Sequence, residues 1–82
     1  MFLSKVTVTL RKSILDPQGK AVEHAVSTLG LRGVHDVRIG KFIEFMIEGD
    51  SEAEAQQVAE DVCKKLLANP VMEDYYVGIQ KV

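Results

Sequence analysis

Val34-His35-Asp36-Val37-Arg38-Ile39-Gly40-Lys41-Phe42-Ile43-Glu44-Phe45-Met46-Ile47-Glu48, residues 34–48, is the stretch on which the fold turns. Val37, Ile39, Ile43, Phe45 and Ile47 fall on odd positions, interrupted only by Lys41. A period of two in β-branched and aromatic residues marks extended chain with one buried face. Two readings fit. Either one long bent strand runs from 34 to 48, or the chain turns back around Gly40-Lys41. A two-residue turn there would pair Ile39 with Phe42 and put Glu44 on the core face. A three-residue loop, Gly40 to Phe42, pairs Ile39 with Ile43 and Val37 with Phe45, which keeps apolar residues together. The bent strand and the longer-loop hairpin both remain open.

Working toward the N-terminus, Asp16-Pro17 opens a helix expected over about 17–29. The Asp carboxylate can accept orphan backbone N–H groups, and proline suits the first helical position, where its missing N–H costs nothing. Ala21, Val22, Ala25, Val26 and Leu29 then form one apolar stripe at helical spacing, and Gly30 fits a left-handed cap. Before it, Phe2, Val6, Val8 and Leu10 alternate with Lys5, Thr7, Thr9 and Arg11, a half-buried strand over about 2–11. Toward the C-terminus, Ser51-Glu52-Ala53-Glu54 has capping-box spacing. Ala55, Val58, Ala59, Val62 and Leu66 make the apolar stripe of a second helix, about 52–68, which Asn69-Pro70 ends. Tyr75, Val77 and Ile79 alternate with Tyr76, Gly78 and Gln80 in a last strand, about 73–82.

The order is β-α-β(β)-α-β. It predicts an α+β, ferredoxin-like two-layer sandwich: an antiparallel sheet of three to four strands with two helices on one face, each helix burying its stripe once. The 82 residues suffice for one domain, 1–82, and are too few for two. A chain this small buries a modest fraction of its surface, and oligomerisation is a common way to bury more.

Charge and chemistry narrow the function by exclusion. The net charge is −2, and the ten basic residues are scattered without a basic run, so a general nucleic-acid binder is not indicated. Phe42 and Phe45 are three apart and would face opposite sides of a strand, which argues against an RNA-stacking surface. No stretch approaches the roughly 20 apolar residues of a membrane span, and the alternating N-terminus is unlike a signal peptide. Cys63, the one cysteine, permits no internal disulfide, which fits a cytosolic protein. Cys63 sits mid-helix and reads as a small buried apolar residue rather than a nucleophile. His24 and His35 have no evident partners, and the set is too scattered for a zinc site. Glu73-Asp74 reads as solvated loop. No phosphate loop or catalytic constellation is present in the sequence.

One feature points outward. If the odd residues of 37–47 face the helices, Phe42 and Met46 face away, and one of Tyr75 and Tyr76 must do so too. An apolar sheet face left bare is a liability that a second subunit removes. Self-association through Phe42, Met46 and Tyr76 is therefore expected.

Three stretches together resemble a known family: Ile14-Leu15-Asp16-Pro17-Gln18-Gly19-Lys20-Ala21-Val22; Val37-Arg38-Ile39-Gly40-Lys41 followed by Ile43-Glu44; and Leu66-Leu67-Ala68-Asn69-Pro70 leading to Glu73-Asp74-Tyr75. In order, spacing and length they are similar to the PurS family, the small subunit of phosphoribosylformylglycinamidine synthase of purine biosynthesis. The resemblance covers nearly the whole chain. It implies a complex that converts formylglycinamide ribonucleotide, glutamine and ATP to formylglycinamidine ribonucleotide. In it, a synthetase subunit uses ATP and magnesium, and a glutaminase subunit releases ammonia. The PurS-like chain forms a homodimer or higher oligomer and bridges the two, with no cofactor and no catalytic residue of its own. On this resemblance, contact roles fall on the helix-terminal loops: Asp16, Pro17, Gln18 and Gly19 on one side, Leu67, Asn69 and Pro70 on the other. Arg38 and Lys41, which local structure does not evidently require, join them as contacts for acidic groups. An alternative from another class is an amino-acid-binding regulatory module of the ACT type, which uses a similar layer.

Overall fold

A computed structural model describes residues 1–82. Three antiparallel strands, β1 (Phe2–Leu10), β2 (Gly40–Ile47) and β3 (Glu73–Lys81), lie in the order β2-β1-β3. Between them come α1 (Pro17–Thr28) and α2 (Glu52–Val62), which runs on into a π-helical turn, Cys63–Leu67. No helix is long and apolar enough to cross a membrane.

The register sorts the faces. Phe2, Ser4, Val6 and Val8 of β1 pair with Ile47, Phe45, Ile43 and Lys41 of β2, and with Lys81, Ile79, Val77 and Tyr75 of β3. These residues form the inner face, which α2 covers. Phe2, Ile47, Ala55 and Ala59 make one core cluster, and Val6, Val8, Cys63 and Ala68 the next. The helix face that is buried is narrower and smaller-chained than the expected stripe. Ala55, Ala59 and Cys63, four residues apart, are buried, while Val58 and Leu66 point to solvent. Small side chains let the helix axis approach the sheet, so Ala and Cys, not Val and Leu, take the contact. Burial raises the Cys63 thiol pKa, with Glu60 adding to the shift, as suits an inert core residue.

Residues 34–39 form neither the bent strand nor the hairpin, so the sheet has three strands and not four. The reason lies in where their backbone groups go. The Ile39 N–H donates to Asp16 Oδ2 at 2.8 Å and the Asp36 N–H to Glu23 Oε1 at 2.7 Å, while Gly19 packs against the Val37 carbonyl. Asp36 takes a left-handed conformation, φ 59°. These groups serve the base of α1 and are lost to a ladder. The alternation of Val37 and Ile39 continued the pattern of β2 without the strand.

The second departure concerns α1. The class, α+β with two helices and a three-stranded antiparallel sheet, stands as expected, but the two helices do not both cover one face. Only α2, however, lies over the sheet. α1 extends past its end, making an elongated molecule of 51 × 27 × 15 Å. Its radius of gyration is 16.1 Å, where a compact chain of this length has about 12 Å. The α1 stripe stays exposed, Leu29 by 75%.

Candidate assembly surfaces

The two sequence stretches around Asp16 and Arg38 close on each other as an elbow at the base of α1. Asp16, 4% exposed, caps the helix by accepting the Gly19 N–H at 2.9 Å through Oδ1, while its Oδ2 holds Ile39. Those two N–H groups, with the nearby Arg38 guanidinium, lower the Asp16 pKa. Arg38 donates from Nη1 to the Ile14 carbonyl at 2.5 Å and from Nη2 to the Lys12 carbonyl at 2.8 Å. Local structure therefore does require Arg38, contrary to the sequence reading. Gly19 has no room for a side chain, since a Cβ there would lie 2.0 Å from the Val37 oxygen. Pro17 holds the first helical position as expected, and Gln18 is exposed beside it.

The elbow abuts the end of the sheet where β1 finishes and β2 and β3 begin. A cleft of about 290 Å³ lies there, lined by Leu10, Asp16, Gln18, Ile39, Lys41 and Glu73 among others. Lys41 lies in line with the inner face, and its Nζ is 3.9 Å from Glu73 Oε2. On the far side of Glu73, the turn after the π-helical segment is knitted by Asn69. Its Oδ1 accepts the Val71 N–H at 3.0 Å and its carbonyl the Glu73 N–H at 2.8 Å. Glu73 Oε1 returns to the Asn69 N–H at 2.7 Å, so Glu73 is a structural clasp rather than a solvated loop residue. The Pro70 carbonyl accepts from Arg11 Nη2 at 2.6 Å. Leu67 packs against the second core cluster. Arg11 also sits 3.5 Å from Asp74. Sequence reasoning missed Arg11 and Glu73, whose roles depend on strand ends brought together from far along the chain. The two helix-terminal loops it singled out lie at one end of the sheet with Glu73 between them, lining the cleft with Asp16 and Gln18 and bonded to Asn69.

Asp16→Asn must turn an amide NH₂ toward one of two backbone N–H donors, so Tm should fall by roughly 4–8 °C in thermal melts. The lowered folded pKa has a definite consequence with pH. The unfolded chain binds the proton more readily, near 3.8, so the Asp16 contribution is complete above that value. It is lost as pH falls through the lower folded pKa, and Asp16→Asn should flatten the acid limb of stability below about pH 5. At the far edge of the sheet, Tyr75 OH donates to Glu60 Oε2 at 2.8 Å, and this bond, with desolvation, raises the Tyr75 pKa. Tyr75→Phe should lower Tm by a few degrees, read in the same melts.

The outer sheet face is uncovered. Phe42, Thr7 and Tyr76 form one row across the three strands, and Met46, Leu3 and Gln80 another. Phe42 is 62% and Tyr76 73% exposed, and Met46 is exposed beside them. The structure thus brings the three residues expected to mediate self-association onto one face, and Tyr75 is the tyrosine that turns inward. No group of three His, Cys, Asp or Glu side chains is placed to hold a metal.

The family model described as PurS, phosphoribosylformylglycinamidine (FGAM) synthase, matches residues 3–81. The PurS subunit of phosphoribosylformylglycinamidine synthase from Bacillus subtilis is 45% identical over 82 residues, covering 100% of this chain and 96% of that protein. Its Methanocaldococcus jannaschii counterpart is 37% identical, covering 100% and 99%. Among solved structures, M. jannaschii PurS superposes with a TM-score of 0.88 at 35% identity, over 100% of this chain and 99% of that one. A chain of the PurLQS structure from Thermotoga maritima does so with a TM-score of 0.85 at 27% identity, over 98% and 99%. With the three-stranded sheet, the elbow and the match running almost end to end, the chain belongs to the PurS family of phosphoribosylformylglycinamidine synthase subunits.

Proposed function

We propose that this chain is the non-catalytic assembly subunit of a glutamine-dependent phosphoribosylformylglycinamidine synthase. It bridges a synthetase subunit, which uses ATP and magnesium, and a glutaminase subunit, so that ammonia passes between them. It acts as a homo-oligomer, joined through the face that carries Phe42, Met46 and Tyr76. The observation that supports this reading is surface. A compact 9.1 kDa monomer exposes roughly 4,900 Å², whereas this chain exposes 5983 Å². The roughly 1,100 Å² difference is on the scale of the ~800 Å² each partner contributes to a standard interface. Of the residues given contact roles, the exposed ones, Pro17, Gln18, Lys41, Asn69 and Pro70, can meet the other subunits. Asp16, Gly19 and Arg38 shape the surface from within. Family membership favours this reading over an amino-acid-binding regulatory module.

Reconstitution tests it. With a synthetase and a glutaminase present, omitting this chain should cut glutamine-driven product formation roughly tenfold or more, because the two sites lose their mutual effective concentration. Ammonia-driven formation should change far less. Equal glutamine-driven rates with and without the chain would remove the proposal.

A further inference from the structure

Glu54, Val58, Val62 and Leu66 recur every four residues along α2 and its π-helical turn, so they share one ridge. Ala55, Ala59 and Cys63 turn another side of the helix into the sheet, while Val58 is exposed and Leu66 is exposed by 79%. A shallow groove of about 350 Å³ runs beside the ridge, lined by Val58, Asp61, Val62, Lys65 and Leu66. Lys64 and Lys65, both exposed, stand at its C-terminal end. Carboxylates four residues earlier, Glu60 and Asp61, would ordinarily pair with them. Glu60 instead accepts from the Tyr75 OH at 2.8 Å and the Gln56 amide at 3.1 Å, and Asp61 from the Gln57 amide at 3.2 Å. None of the ion pairs in the molecule includes Lys64 or Lys65. Two unpaired ammonium groups therefore border an exposed apolar ridge whose other end opens on Glu54.

We propose that this ridge seats one amphipathic helix of a partner subunit, apolar along one face and carrying carboxylates where it meets Lys64 and Lys65. This rests on the assembly reading above and names the surface used. A row at i, i+4 and i+8 packs into the groove between two such rows of another helix, so the occupant that fits is a helix. Val58 to Leu66 spans about 12 Å, the width of a single helix laid across it. Charge selects the occupant. Covering the ridge without an acidic partner would strand the two ammonium groups in a desolvated edge, which penalises a neutral or basic helix. Position leaves the site open. α2 covers the inner sheet face, so its ridge looks away from the outer face that carries Phe42, Met46 and Tyr76. Copies joined through that outer face keep every ridge accessible to a different polypeptide, as a bridging subunit requires.

Two variants test it, Leu66→Asp and the pair Lys64→Glu with Lys65→Glu. All three positions are exposed, and far-UV circular dichroism verifies folding. If Leu66→Asp unfolds, Leu66→Ala takes its place. The synthetase and glutaminase subunits are titrated in turn against the chain, each with the other present in excess. Leu66→Asp should raise the dissociation constant of one of the two at least about tenfold and leave the other within about twofold. The lysine reversal should weaken the same subunit by about fivefold or more and flatten the salt dependence of its binding. Light scattering of the chain alone should give the same mass for both variants as for wild type. Unchanged affinity of Leu66→Asp for both subunits would overturn the proposal, and so would loss of both or a lysine reversal without effect. A lower mass for Leu66→Asp alone in solution would assign the ridge to a second copy and overturn it as well. Wild type that binds neither subunit would overturn the assembly reading too, whereas intact binding by Leu66→Asp would overturn the ridge alone.

Discussion

Replacing Gly19 by Ala is expected to lower Tm by roughly 10–20 °C. The added Cβ would sit 2.0 Å from the Val37 oxygen and 2.9 Å from its carbon, and these are backbone atoms that cannot rotate away. Relief requires the 36–39 segment or the first turn of α1 to move. Either motion pulls Asp16 from the Gly19 or Ile39 N–H, so overpacking and a lost cap act together, about 2–3 kcal/mol in sum. Gly49→Ala is the control, because nothing lies within 4 Å of a Cβ at that position and its backbone conformation is ordinary. Equal melting of Gly19→Ala and wild type would show that the elbow is slack.

Ala59→Leu is expected to be nearly as severe, for a reason at the other end of the packing scale. Ala59 is fully buried between α2 and the sheet, in the cluster with Phe2, Ile47 and Ala55. Extra carbons there must lift the helix. Overpacking of this sort costs about 1–3 kcal/mol, against a total stability of roughly 5–15 kcal/mol for a natural domain. A Tm loss of roughly 8–20 °C should appear in melts. Val58→Ala, on the solvent side of the same helix, should change Tm by less than about 3 °C. If Val58→Ala proved the more damaging of the two, the helix would be rotated relative to the face described. The pair is a sharp test because the hydrophobicity of the sequence alone ranks Val58 above Ala59 as a core residue.

That ranking shows what kind of information resides in the chain itself. Periodicity and capping located both helices and the two terminal strands to within a few residues, and overran only the start of β2. The helix caps at Asp16 and Ser51 act through contacts no more than three residues away, the Asp16 bond to Gly19 and the Ser51 bond to Glu54. The outward face was legible for the same reason: strand alternation is local, and it put Phe42, Met46 and Tyr76 on one side whatever the sheet order. Tertiary structure alone decided the fate of 34–39, the exposure of α1, the buried face of α2 and the internal roles of Arg38, Arg11 and Glu73. Each of these depends on a partner brought in across the fold, such as Asp16 for Ile39, the Ile14 carbonyl for Arg38 or Pro70 for Arg11. Short-range patterns record what one segment prefers; which backbone groups are already occupied when two distant segments meet is fixed only once the chain has closed on itself.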